Sequence, residues 1–274
     1  MLRHLIRAVR SAADHDGFYL AQATAYSAIF AFFPALIVLA ALMRQIPDSL
    51  ALRLESSQLF TRILPPNALP LLDGYFTAHS RHIHAPHALL STAIVSLLGG
   101  AGVISTLMEA FRRAYNRPKA FWSSWRKRIV STLLVPLSLV PLAVVSALLI
   151  GGHLITLWLR AWLVPDLRML LIPLLIVLRW AVAVAGSIGV IAVIYRFGSP
   201  VRHPIGRAVP GAVLATALWF PATLAFGWYV TRFTDYSRVY GPLGAGVALL
   251  IWLYLIALSV IVGAEYNAQR HPAR

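Results

Sequence analysis

Arg179 is the one charge set deep inside a long apolar run. An ionised side chain at that depth costs at least about 2.5–3.5 kcal/mol to insert into a bilayer, so it must face a partner or a wet cavity. Two chemistries meet that need: a counter-charge for an anionic substrate, or a structural ion pair. Glu109 and Glu265 lie at the ends of two other apolar runs, and Asn116 and Asn267 follow them. A carboxylate at a span end can carry a proton; pairing with nearby arginines is the simpler reading, because a charge there is cheap to place. His79, His82, His84 and His87 have spacings that could serve zinc or copper. Pro86 interrupts them and no carboxylate follows Asp73 closely, so they read as a solvated or interfacial loop and no metal site is assigned. There are no cysteines, which removes thiol catalysis, disulfides and Cys-based zinc sites. Gly241-Pro-Leu-Gly-Ala-Gly246 lacks the Gly-Lys-Ser/Thr of a P-loop and reads as an irregular turn or a close helix approach. No cofactor is expected.

The elements that must position these residues are set by lipid. Of the 274 residues, 59% are hydrophobic and 12% charged, against about 25% charged in a soluble domain. The composition predicts an all-α polytopic bundle forming one membrane domain. Six spans are expected, over 24–43, 88–108, 130–159, 169–195, 208–230 and 243–266. The third exceeds the roughly 20 residues a bilayer needs, and Pro136, Pro141, Gly151 and Gly152 point to a kinked or tilted helix. Ahead of the first span, Leu2, Leu5, Ile6 and Val9 recur at helical spacing, with Arg3, Arg7 and Arg10 on another face. That pattern suits a short amphipathic helix in the headgroup layer, ended by Asp14, Asp16 and Gly17. The arginines make this segment unlike a cleavable signal peptide. Ala21, Ala25 and Ala28 read as a packing edge. Helical stretches are expected at 48–64 and 67–80 in the longest loop. Short internal matches pair the first span with the fourth and the second with the sixth; the pairings disagree, and no repeat is assigned.

The net charge of +15 would suggest nucleic acid in a soluble protein. Here the basic residues lie between apolar runs, so they read as topology and as contacts to anionic lipid, with no nucleic-acid partner. The segments 1–22, 109–129, 196–207 and 267–274 carry 15 Lys and Arg residues, against 8 in 44–87, 159–168 and 231–242. The positive-inside rule then puts both termini and the basic 109–129 loop in the cytoplasm.

Four blocks, in order, resemble the YihY/BrkB family of bacterial inner-membrane proteins. The first is Gln22-Ala-Thr-Ala-Tyr-Ser-Ala-Ile-Phe-Ala-Phe-Phe-Pro34, preceded by Asp14 and containing Tyr26. The second is Leu107-Met-Glu-Ala-Phe-Arg-Arg-Ala-Tyr-Asn116, followed by Arg117 and Phe121-Trp122. The third is Tyr195-Arg-Phe-Gly-Ser-Pro200. The fourth joins Tyr240-Gly-Pro-Leu-Gly-Ala-Gly246, Trp252-Leu-Tyr254 and Gly263-Ala-Glu-Tyr-Asn-Ala268. The resemblance implies six spans and cytoplasmic termini, and marks Asp14, Tyr26, Pro34, Gly241, Gly244 and Gly263 as structural positions of the motifs. It implies nothing about roles residing in the longer cytoplasmic tail of many relatives. Some relatives have been labelled ribonuclease BN, a name generally regarded as misassigned; others are labelled serum-resistance or virulence factors or linked to movement of lipid precursors.

A metal-dependent nuclease needs clustered carboxylates or histidines. The segments placed in the cytoplasm offer only Asp14, Asp16 and Glu109, with Glu265 at the membrane edge. The sequence therefore favours a non-enzyme: a transporter or translocation factor for an anionic lipid or envelope precursor. Arg112, Arg113, Arg117, Arg126 and Arg128 are the candidate headgroup ligands, with Arg179 engaged during passage. A non-transporting scaffold in envelope assembly is the alternative.

Overall fold

The computed structural model describes residues 2–43, 86–118, 123–139, 165–201, 204–232 and 242–272. Their regular elements are α-helices: α1 (Leu2–Asp14), α2 (Gly17–Met43), α3 (Pro86–Ala114), α4 (124–139), α5 (Pro165–Gly198), α6 (Ile205–Arg232) and α7 (Pro242–Arg270). Among the described residues, α2, α3, α5, α6 and α7 each contain a stretch of 20 to 28 residues long and apolar enough to cross a membrane. The helix α4 covers the start of the expected third span. The rest of that span, the stretches 48–64 and 67–80, His79, His82, His84 and Gly241 lie outside the described residues.

The helices outrun the apolar runs. Residues 109–114 and 124–129, expected as loop, belong to α3 and α4, and α2 begins at Gly17 rather than Thr24. Hydropathy marks where lipid ends, not where the helix ends. Glu109 pairs with Arg112 and Arg113 at i+3 and i+4, which carries α3 beyond its apolar part. Asn116 then closes it. Its φ is 51°, its N–H donates to the Arg113 carbonyl at 2.8 Å, and the Arg117 N–H donates to the Arg112 carbonyl at 3.0 Å. This is a Schellman cap with asparagine in the left-handed position. Asp16, with a φ of 59°, likewise separates α1 from α2.

Small residues set the helix spacing. The most extensive helix pair is α2 with α3, and a Cβ at Gly99 would stand 2.9 Å from the Ala31 backbone. Thr24 and Thr106 join the same pair at 2.9 Å. In α7, every residue from Ser259 to Ala268 is buried, because α7 packs on α1, α2, α3 and α6 together. Tyr26, Leu90, Leu133, Leu174, Val177, Leu224 and Trp228 are exposed. In a membrane protein these are the side chains that lipid covers.

Candidate functional site

Polar side chains gather where α1, the end of α3 and the end of α7 meet. Glu265 is 1% exposed. A buried carboxylate is tolerable only when paired and hydrogen-bonded. Ser11 donates to its Oε2 at 2.9 Å, and His15 Nδ1 lies 2.8 Å from its Oε1. Ser11 stands on α1 and His15 in the turn directly after it, so together they pin α1 to α7. Ala8 and Ala12 fill the Ser11 edge of α1 and are also buried.

A second network surrounds Glu109. Arg112 meets it through two nitrogens, at 3.0 and 2.6 Å, while Arg113 stands 3.3 Å and Lys127 3.9 Å away. Arg112 also donates to the Arg117 carbonyl, and Arg113 reaches Asp16 at 2.5 Å. One carboxylate thus joins α3 to α4, and Arg113 joins both to the turn after α1. Arg126 and Arg128 remain exposed on α4.

Between α3, α5, α6 and α7 lies an open cleft of about 340 Å³, including the part open to solvent. Two of its walls are fixed by buried hydrogen bonds. Tyr195 donates to the Val260 carbonyl at 2.5 Å and meets Phe111 edge-on at 5.2 Å. Asn267 accepts from the Gly211 N–H at 2.8 Å and donates to the Ala208 carbonyl at 3.0 Å. These contacts need the close approach of α6 and α7. A Cβ on Gly211 would overlap the Gly263 carbonyl, and one on Gly263 would overlap the Tyr195 hydroxyl. The other polar groups lining the cleft are Arg196, Arg207, Tyr115 and Ser199; among the described residues, no carboxylate or histidine lines it.

Arg196 and Arg207 bring positive charge to the cleft, and the Glu265 carboxylate near Tyr115 opposes it. Burial, then Arg207 and Arg270, hold the His271 imidazole below its usual pKa. Burial pushes the Tyr115 hydroxyl up to about 12, against the opposing hydrogen bond with Ser199. Tyr115 is therefore a neutral donor at any physiological pH. Two guanidiniums and the Tyr115 hydroxyl thus line one cleft, a set of donors suited to a phosphate-like anion.

The expected site residues fall into separate places. Glu265 and Glu109 head two neighbouring networks. Asn116 is a helix cap, and Asn267 is a buried bridge in the cleft wall. Arg179 lies half-buried on α5, about 25 Å along the helix from Arg196 at 1.5 Å per residue. Gly244 is buried in α7, Pro34 stands inside α2, and Tyr26 is exposed beside Phe30. Arg196, Arg207, Tyr115 and Ser199 were not singled out by residue chemistry. Three of them occur in the second and third motif blocks, which was the one available signal. Among the described residues, no group of three His, Asp or Glu side chains could hold a metal ion.

Residues 8–274 match the family described as virulence factor BrkB. A UPF0761 membrane protein of Chromohalobacter salexigens is 28% identical over 278 residues, covering 98% of this chain and 63% of the relative. One from Stenotrophomonas maltophilia is 27% identical over 264 residues, covering 93% and 58%. A ribonuclease-like protein YfkH of Bacillus subtilis is 34% identical over 94 residues, 34% of each chain. The chain thus spans less than two thirds of the length of these relatives. No solved structure matches. With a family match over nearly its full length and several membrane-crossing helices, the chain belongs to the BrkB (YihY, UPF0761) family of multi-pass membrane proteins.

Proposed function

We propose that this protein is a translocation factor for an anionic lipid or lipid-linked envelope precursor in the bacterial inner membrane, with both termini in the cytoplasm. The observation that carries this reading is the cleft bearing Arg196 and Arg207, with no carboxylate among the described residues that line it. A phosphate headgroup offers acceptors to the two guanidiniums and to the Tyr115 hydroxyl. Among the described residues, the lining offers no general base beside a nucleophile, which favours binding over catalysis. Exposed Arg126 and Arg128 concentrate anionic headgroups near this end. Arg112 and Arg113, expected as headgroup ligands, act in this reading as framework, because Glu109 and Asp16 already hold them. Arg117 lends its carbonyl to Arg112 in the same framework. Arg179 offers a second anchor farther across the membrane.

Purified protein in vesicles is expected to move labelled phosphatidylglycerol or a polyprenyl phosphate between leaflets. No exchange across a broad panel of anionic lipids would sink the proposal. Arg179→Leu is expected to slow exchange several-fold; unchanged flux removes Arg179 from the path. Orientation is testable separately, because the chain has no cysteine of its own. A cysteine at Ser124 is expected to be shielded from a membrane-impermeant maleimide in intact spheroplasts and labelled after lysis. Labelling before lysis would reverse the topology.

A further inference from the structure

Helix α1 uses only part of its apolar surface inside the protein. The edge that docks on α7 is the small one, Ala8 and Ala12, held by Ser11 and His15 on Glu265. The larger apolar residues sit on the neighbouring edge, with Ile6 60% and Val9 44% exposed. At 100° per residue they project roughly 100° away from the docked alanines. Arg7 and Arg10 are exposed on the far flank of that apolar edge. The other exposed charged or titratable side chains described on α1 are His4 and Asp14, so Asp14 can offset one arginine at most. Two residues beyond α1, the span α2 opens with Phe18 and Tyr19, 44% and 67% exposed. Aromatic residues at the start of a span mark the headgroup level.

We infer that α1 is an interfacial helix: Ile6 and Val9 enter the upper acyl layer, and Arg7 and Arg10 bind anionic headgroups. Lipid is the occupant the surroundings favour. Among the described side chains, the exposed apolar edge is two large residues wide, far less than the roughly 800 Å² per partner of a stable protein interface. It is flanked by cations and continuous in sequence with a span that lipid covers. The bonds to Glu265 fix the rotation of α1, so the helix cannot roll this edge onto the bundle. The inference goes beyond translocation and holds whether or not lipid is moved.

The test uses the full chain in nanodiscs, with single cysteines at Ile6, Val9 or Asp14 carrying a small fluorophore. The discs are phosphatidylcholine with or without phosphatidylglycerol. With phosphatidylglycerol, nitroxide lipid labelled high on the acyl chain is expected to quench the Ile6→Cys and Val9→Cys probes about threefold more than the Asp14→Cys probe. Iodide in the buffer is expected to show the reverse order. Arg7→Gln with Arg10→Gln should weaken the lipid quenching. Equal access of iodide to all three probes would overturn the inference, as would protection of Ile6 and Val9 from both quenchers, which signals a protein cover. Equal quenching in neutral and anionic discs would overturn its headgroup component.

Discussion

Replacing His15 with alanine is expected to destabilise the protein by about 3 kcal/mol, because it leaves a buried carboxylate with half its partners. Glu265 is 1% exposed, and its two side-chain partners are Ser11 and His15. Glu265→Gln is the milder change. It keeps an acceptor for Ser11 and removes the charge that needs compensation, so its cost should stay near 1 kcal/mol. The two substitutions should be strongly non-additive: once residue 265 is uncharged, losing His15 matters less. Thermal unfolding of the purified protein in detergent measures all three. An unchanged melting temperature for His15→Ala would mean that Glu265 is not held as described.

Gly211→Ala is expected to be at least as damaging, about 3 kcal/mol or failure to accumulate, since it forces backbone apart. The added methyl would collide with the Gly263 carbonyl and the Asn267 side chain. A carbonyl cannot turn aside as a flexible side chain can, so α6 and α7 must separate. Gly263→Ala should behave alike, through the Tyr195 hydroxyl and the Gly211 carbonyl. Gly227 provides the control within the same helix. Nothing lies within 4 Å of a Cβ built there, so Gly227→Ala should be neutral or stabilising by up to about 1 kcal/mol. Expression level and melting temperature separate these outcomes. Equal tolerance of alanine at 211 and 227 would contradict the close crossing of α6 and α7.

The apolar runs were legible because span formation depends on summed local hydropathy, which needs no knowledge of neighbours. The helix ends were not. Glu109, Arg112 and Arg113 look like loop residues by polarity, yet their spacing extends α3 into water. Asn116 followed a carboxylate and invited a chemical reading, but its left-handed backbone makes it a cap. Helical spacing identified the apolar face of α1 but could not tell which edge docks. That choice belongs to the alanines, whose small size lets Ser11 and His15 reach Glu265. The cleft was the least legible feature. Tyr115, Arg196 and Arg207 are ordinary polar residues at span ends in sequence. Only the crossing of α6 and α7 at paired glycines brings them together.

The central claim is that Arg196 and Arg207 bind a phosphate headgroup during passage between leaflets. Its most direct test compares wild-type protein with the Arg196→Gln/Arg207→Gln double variant, matched for melting temperature, in the same vesicles. Each lost charge-assisted hydrogen bond is worth about 1.5–3 kcal/mol, and 1.4 kcal/mol corresponds to tenfold. Exchange of labelled anionic lipid by the double variant should therefore fall by at least about a hundredfold, with addition of a soluble phosphomonoester slowing only the wild type. A folded double variant that moves anionic lipid at the wild-type rate would contradict the account.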